Sequence, residues 1–225
     1  MTDPHPLAGI MGPQCFEIYD AITPLATERD FYLIGGTALA MQLHHRTSTD
    51  LDFFLHGGFD PAELLGDLRA LGLPTVVNDV SEDTLNVVCG PVRVQFLCAE
   101  GQSRIADLRV VGQLRQAAIP DILAMKLTAL LGRAKLRDYF DVMVIDRDPL
   151  YPVELGIAFH LRRYSPLAPE QTAIQIVQAL GYLDDVEDDA TVPISREEIV
   201  DFWHKRQPQV AANLSRSTVG PGSAL

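Results

Sequence analysis

The stretch Phe31-Tyr32-Leu33-Ile34-Gly35-Gly36-Thr37-Ala38-Leu39-Ala40, followed by Ser48-Thr49-Asp50-Leu51-Asp52-Phe53-Phe54, decides how this sequence is read. Its apolar run predicts a strand at Phe31–Ile34, which meets two glycines and a hydroxyl residue before a helix expected over 37–45. Glycines let a backbone approach a ligand closely, and the free N–H groups and dipole of a helix N-terminus favour phosphate. Gly-Gly-Thr also serves as an ordinary strand-to-helix turn, so the weight falls on the next predicted strand, Leu51–Leu55. There period-two alternation puts Asp50 and Asp52 on one face and Leu51 and Phe53 on the other. Side by side and without a cation the two carboxylates would repel, which makes a structural role a poor explanation. Paired on a strand they suit one or two Mg2+ ions, which take hard oxygen ligands and also bind substrate phosphates. The alternative is that one aspartate ends the strand and the other faces water.

Working outward, further strands are expected at Leu73–Asn78, Thr84–Cys89 and Val92–Cys98, with Gly90-Pro91 turning the last two into an antiparallel hairpin. Helices are expected at 14–28 and 61–71, then from Pro120-Asp121 onward at 137–146, 153–163, 169–181 and 195–206, where Ser195 and Glu198 have capping-box spacing. The pattern divides near residue 115. An α+β core with a mixed sheet flanked by helices occupies 1–115, a helical region 116–207, and a tail with little to bury 208–225. Trp203, one turn from Ile199, reads as a helix anchor, and the histidines lack ligand spacing. The acidic run 184–189 reads as a solvated loop.

At 225 residues the chain can bury roughly 70% of its unfolded surface. With 47% hydrophobic and 21% charged residues it is neither disordered nor fibrous. Its longest uncharged run, 31–45, is too short to span a membrane, and the N-terminal sequence lacks the regions of a secretion signal. Cys15, Cys89 and Cys98 have no C-x-x-C spacing and read as reduced thiols, so a cytoplasmic location is expected. A net charge of −12 argues against a protein that coats nucleic acid. Residues 104–163 nevertheless hold ten Lys/Arg against seven Asp/Glu, which leaves room for a local anion site.

Gly-Gly-Thr followed by Asp-x-Asp on the next strand resembles the nucleotidyltransferase fold shared with DNA polymerase β. The fuller string from Ile34 to Ala40 and from His45 to Phe54 resembles the AbiEii/AbiGii nucleotidyltransferase-toxin family. A second signature of that family stands at Met125-Lys126-Leu127-Thr128-Ala129-Leu130-Leu131-Gly132-Arg133-Ala134-Lys135-Leu136-Arg137-Asp138-Tyr139-Phe140-Asp141. The resemblance implies that Asp50 and Asp52 hold Mg2+, with Mn2+ as the alternative. It implies that Gly35, Gly36, Thr37, Arg46, Lys126, Arg133 and Lys135 bind the nucleotide, and that Asp138 and Asp141 hold the site together with Lys126. The implied reaction moves NMP from an NTP to an acceptor hydroxyl. The implied setting is a toxin acting on a tRNA 3′ end, with a separately encoded antitoxin as partner and no membrane involvement.

Read without the family, the second signature places Lys126, Arg133 and Arg137 on one face of a helix, provided Gly132 does not break it. Its plain alternative is a surface helix laced with salt bridges. The sequence departs from the wider fold where a third carboxylate is expected on a later strand: 92–97 presents Gln95, whose amide can neither accept a proton at neutral pH nor bind Mg2+ as a carboxylate does. Two other readings stay open, nucleotidyl transfer to a small cationic molecule and a nucleotide- or partner-binding protein without turnover.

Overall fold

The computed structural model describes residues 7–132 and 135–219; the N-terminal segment read for a leader begins with six residues outside that range. The chain divides into two compact units, residues 1–118 and 119–225. The boundary predicted near 115 therefore lies within the first unit, whose last strand runs to Gln116.

The first unit begins with α1 (Ala8–Met11) and α2 (Pro13–Glu28), then β1 (Tyr32–Ile34), α3 (Gly35–Leu43), β2 (Leu51–Leu55) and α4 (Pro61–Ala70). It continues with β3 (Thr75–Ser81), β4 (Thr84–Cys89), β5 (Val92–Cys98), β6 (Arg109–Val111) and β7 (Leu114–Gln116). The strands form one mixed sheet in the order β3-β4-β5-β2-β1-β7-β6. Neighbouring β1 and β2 are antiparallel, whereas β2 runs parallel to β5 and β1 parallel to β7. This α+β arrangement is the fold class read from the sequence.

Alternation in β2, β4 and β5 sorts the two faces. Leu51, Phe53, Leu85, Val87, Val94 and Phe96 are fully buried or nearly so, and α2 and α4 pack against these strands. Phe96 stacks on Phe53 with ring centroids 5.1 Å apart and meets Phe31 edge-on at 5.0 Å. Helix α4 starts where Asp60 accepts from the N–H groups of Ala62 at 2.8 Å and Glu63 at 3.3 Å, with Pro61 in the first turn. The Gly90-Pro91 hairpin forms as expected, with Cys89 paired to Val92.

Strand β3 starts at Thr75 rather than Leu73, because Pro74 has no N–H for the ladder, and it runs on to Ser81 in a hairpin with β4. The short strands β6 and β7 carry no alternation long enough to read. Of these, β7 is defined by its non-local parallel pairing with β1.

The second unit is helical: α5 (Ile119–Leu131), α6 (Leu136–Asp146), α7 (Val153–Tyr164), α8 (Pro169–Leu180) and α9 (Arg196–Val219). A β-carbon on Gly156 would lie 2.6 Å from Leu123 Cδ2, so glycine lets α7 close onto α5. Trp203 is fully buried and donates to the Tyr139 carbonyl at 3.2 Å, the anchoring role expected of it. Arg206 ties three helices together by reaching Asp146 at 2.8 Å and Glu154 at 3.0 Å.

The structure differs from the sequence reading at the end of α5 and after Pro208. Helix α5 stops at Leu131 and α6 starts at Leu136, so no continuous helix carries Lys126 and Arg137 on one face. The exposed Gly132, a poor helix residue, marks the break. The region from Pro208 to Val219 is a continuation of α9 rather than a bare tail. It does have something to bury: Val210 is fully enclosed and Asn213 donates to Glu154 at 2.7 Å. Among the described residues no helix is long and apolar enough to cross a membrane.

Candidate active site

In the first unit the chain leaves β1 through Ile34 in extended conformation and enters α3 directly at Gly35, two residues earlier than predicted. Gly35 has φ +79°, and a β-carbon there would lie 2.2 Å from Asp52 Oδ2. Glycine is therefore required twice, once for the left-handed φ and once because a carboxylate sits against the first turn of the helix. A negative charge at that end is favoured by the helix dipole.

A β-carbon on Gly36 would lie 2.7 Å from an Arg46 guanidinium nitrogen and 3.2 Å from Ser48 Oγ. Arg46 is buried, and its Nη1 donates to the Thr47 carbonyl at 2.9 Å. Thr37 is buried as well; its Oγ1 lies 2.9 Å from Ser48 Oγ and is hydrogen-bonded to the Asp50 carbonyl. The Thr37 hydroxyl thus holds the chain leading into β2, and what Thr37 can offer a phosphate is its backbone N–H.

Asp50 immediately precedes β2 and Asp52 lies in it, half-buried while Leu51 and Phe53 are fully enclosed. In the parallel pairing with β5, Leu51 faces Val94 and Asp52 faces Gln95. Gln95 is in turn opposite Asn86 of β4. Arg93, two residues before Gln95 and so on the same face, forks onto Asp50 with Nε 3.2 Å from Oδ1 and Nη2 2.7 Å from Oδ2. The two aspartates therefore share a face, as alternation predicts, but they are not without a cation. Arg93 was missed by the sequence reading, although Val92-Arg93-Val94-Gln95 carries the alternation that finds it. The negative charge of Asp50 has a second consequence. The Cys15 thiol is pushed up to about 12, by burial first and by Asp50 second, and stays protonated.

The donor set suits a hard cation. Among the described residues no group of three or more His, Cys, Asp or Glu side chains could hold a metal ion. Asp50 and Asp52 could hold Mg2+ in the way it is commonly held, by one or two carboxylates completed by substrate phosphates and water.

In the second unit Lys126 is buried on α5 between two carboxylates, with Nζ 2.7 Å from Asp138 Oδ1 and 2.7 Å from Asp141 Oδ2. Asp138 also accepts from the Lys135 N–H at 3.2 Å and so caps α6. The structure thus brings Lys126, Asp138 and Asp141 into one ion-pair cluster. Lys135 itself is exposed. Arg137, at 3.7 Å from Asp189, belongs to a different pair. Arg133 lies outside the described residues.

This fold and these residues define a nucleotidyltransferase-like protein. The sequence model described as nucleotidyl transferase AbiEii toxin, type IV TA system, matches residues 19–96 and 99–201, and the chain belongs to that family. A relative from Aquifex aeolicus (strain VF5), aq_aa25, is 25% identical over 206 residues, covering 88% of this chain and 96% of its own. Among solved structures, JHP933 from Helicobacter pylori superposes with a TM-score of 0.57 at 20% identity, covering 92% of this chain and 96% of its own. The nucleotidyltransferase toxin MenT4 from Mycobacterium tuberculosis H37Rv superposes with a TM-score of 0.50 at 17% identity, covering 87% of this chain and 85% of its own. At those identities the two structures speak for the fold.

Proposed function

We propose that this chain transfers NMP from an NTP to an acceptor hydroxyl at the 3′ end of a tRNA, acting as the toxin of a toxin–antitoxin pair. The observation that carries the reading is the pair Asp50 and Asp52 on one sheet face, with Asp52 against the glycine-opened first turn of α3. In this reading the triphosphate lies on the N–H groups of Gly35, Gly36 and Thr37 with the Arg46 guanidinium beside them. Asp50 and Asp52 would hold Mg2+, or Mn2+ in its place, which when bound neutralises charge on the triphosphate and on the departing pyrophosphate. The acceptor oxygen forms a bond to the α-phosphorus as the bond from that phosphorus to the β-phosphate oxygen breaks, and pyrophosphate leaves. The hydroxyl proton cannot pass to Gln95, an amide, and goes to a carboxylate or to water. The chain's contribution is positioning and fixed charge. Lys126, Asp138 and Asp141 enter as catalytic residues, and Lys135 and Arg133 as nucleotide-binding residues, on the strength of the second signature alone.

The test is to incubate the protein with total tRNA, Mg2+ or Mn2+, and each NTP labelled at the α-phosphate. Label on RNA, lost in Asp52→Asn, is expected, together with growth arrest on expression. Label on a small cationic acceptor and none on RNA would move the substrate class to small molecules. NTP binding without any product would assign a binding protein that has lost turnover.

A further inference from the structure

Arg93 engages both oxygens of Asp50, Nε at 3.2 Å from Oδ1 and Nη2 at 2.7 Å from Oδ2. The Arg93 side chain is 52% exposed and that of Asp50 22%, so the pair is partly solvated and contributes little to holding the fold together. Its position follows from register: with Leu51 opposite Val94, the residue before Leu51 falls opposite Arg93. Arg93 is the only charged residue of β5, and β4 has none. A planar guanidinium fork fits a carboxylate bidentately. A divalent cation taking an Asp50 oxygen as a ligand at roughly 2.0–2.1 Å would meet a second cation already bound to that oxygen.

We propose that Arg93 is a positioning residue that stands in for the metal. It holds Asp50 in the metal-free protein and gives way when the ion enters. This rests on the reading of Asp50 and Asp52 as the metal site. With Arg93 in place, the Asp50 carboxylate is held by both its oxygens on the sheet face it shares with Asp52 before substrate arrives. The competition lowers affinity for the bare ion, so the ion enters with the nucleotide, whose phosphates add ligands and charge. Metal loading is thereby coupled to nucleotide binding.

The experiment measures Mn2+ binding to the full chain by loss of the free-ion EPR signal, in wild type, Arg93→Gln, Arg93→Lys and Asp52→Asn, each checked for folding by circular dichroism. Arg93→Gln is expected to bind Mn2+ about fivefold more tightly than wild type at low salt, with Arg93→Lys between them, and the gap should narrow as salt screens the repulsion. In wild type the Arg93 Nε–H resonance should shift as Mg2+ is added. Equal or weaker Mn2+ binding in folded Arg93→Gln, or an unmoved Arg93 resonance at saturating ion, overturns the proposal and leaves the metal site standing. If Arg93→Gln does not fold, Arg93→Lys binding no more tightly than wild type overturns it equally. Mn2+ binding absent from wild type and Arg93→Gln alike, or unaffected by Asp52→Asn, overturns the metal-site reading and this inference with it.

Discussion

The Asp52 carboxylate approaches Gly35 so closely that a β-carbon on residue 35 would lie 2.2 Å from Oδ2. The glycine also has φ +79°, where an L side chain is strained. Gly35→Ala therefore carries a backbone penalty of roughly 1 kcal/mol or more and must also push the carboxylate away from the helix. The expected outcome is a melting temperature lower by about 2–4 °C per kcal/mol lost, together with nucleotide transfer at background. Wild-type transfer in Gly35→Ala would show that Asp52 need not sit against α3 for the chemistry.

Asp50→Asn and Asp52→Asn should each abolish transfer while the protein stays folded. For Asp50 the cost to stability is expected to stay within about 1 kcal/mol, because its partner Arg93 is half exposed and can be hydrated instead. Thermal melts beside the labelling assay check this. A collapse of stability with transfer intact would make the aspartates structural.

Lys126 presents the opposite balance. Its side chain is 7% exposed and lies between Asp138 and Asp141, the latter fully buried. Lys126→Met leaves two carboxylates buried without their cation, a change worth roughly 3–5 kcal/mol. Kinetics must therefore be read at a temperature where the variant is folded. On the proposed role of Lys126, kcat/KM is there expected to fall at least about tenfold, the size of one charge-assisted contact. Lys126→Arg should rescue in part, since a planar fork does not place charge where an ammonium does. A lowered melting temperature with unchanged kcat and KM would assign the cluster to folding alone.

What the sequence reveals follows from which signals are local. Gly35-Gly36-Thr37 and Asp50-x-Asp52 are short-range patterns, and the turn and the shared face are both in the structure. The end of α5 was not legible with certainty, because one exposed glycine in a helical pattern can either be absorbed or end the helix. Strand β7 was invisible for another reason: three residues carry no period, and its partner β1 is about eighty residues away. Arg93 was legible by alternation but is informative only once register sets it opposite Asp50. The second signature names Lys126, Asp138 and Asp141 together, as what the family resemblance implies. Their burial, which makes them a joint between α5 and α6 as well as candidate chemistry, comes from packing.

Pro208 is a further case where tertiary contacts outweigh local preference, since α9 continues past it. Truncation after Gln207 removes the enclosed Val210 and the Asn213–Glu154 hydrogen bond. A loss of roughly 2–3 kcal/mol is expected from one buried side chain and one bond to a charged group. An unchanged denaturant midpoint in the truncated chain would show that this last stretch of α9 is not part of the folded unit.

His160 is buried on α7, with Nδ1 3.2 Å from the Ala124 carbonyl and its ring 4.9 Å from that of Tyr164. Burial pulls its pKa below the ordinary 6.5 and outweighs the hydrogen bond to Ala124, which acts the other way. The folded protein therefore keeps this ring neutral in a range where the unfolded chain protonates it. Above about pH 6.5 neither state binds the proton and the group has no effect on stability. As pH falls from there the unfolded state gains protons that the folded state refuses, and stability drops with a limiting slope of about 1.4 kcal/mol per pH unit until the folded ring titrates. His160→Asn keeps an N–H able to donate towards Ala124 but cannot titrate. Melting temperatures measured from pH 7 to pH 5 should fall more steeply in wild type than in His160→Asn, the other histidines cancelling in the difference. Parallel curves would mean that the folded protein accommodates the charged ring, and that acid sensitivity in this range arises elsewhere.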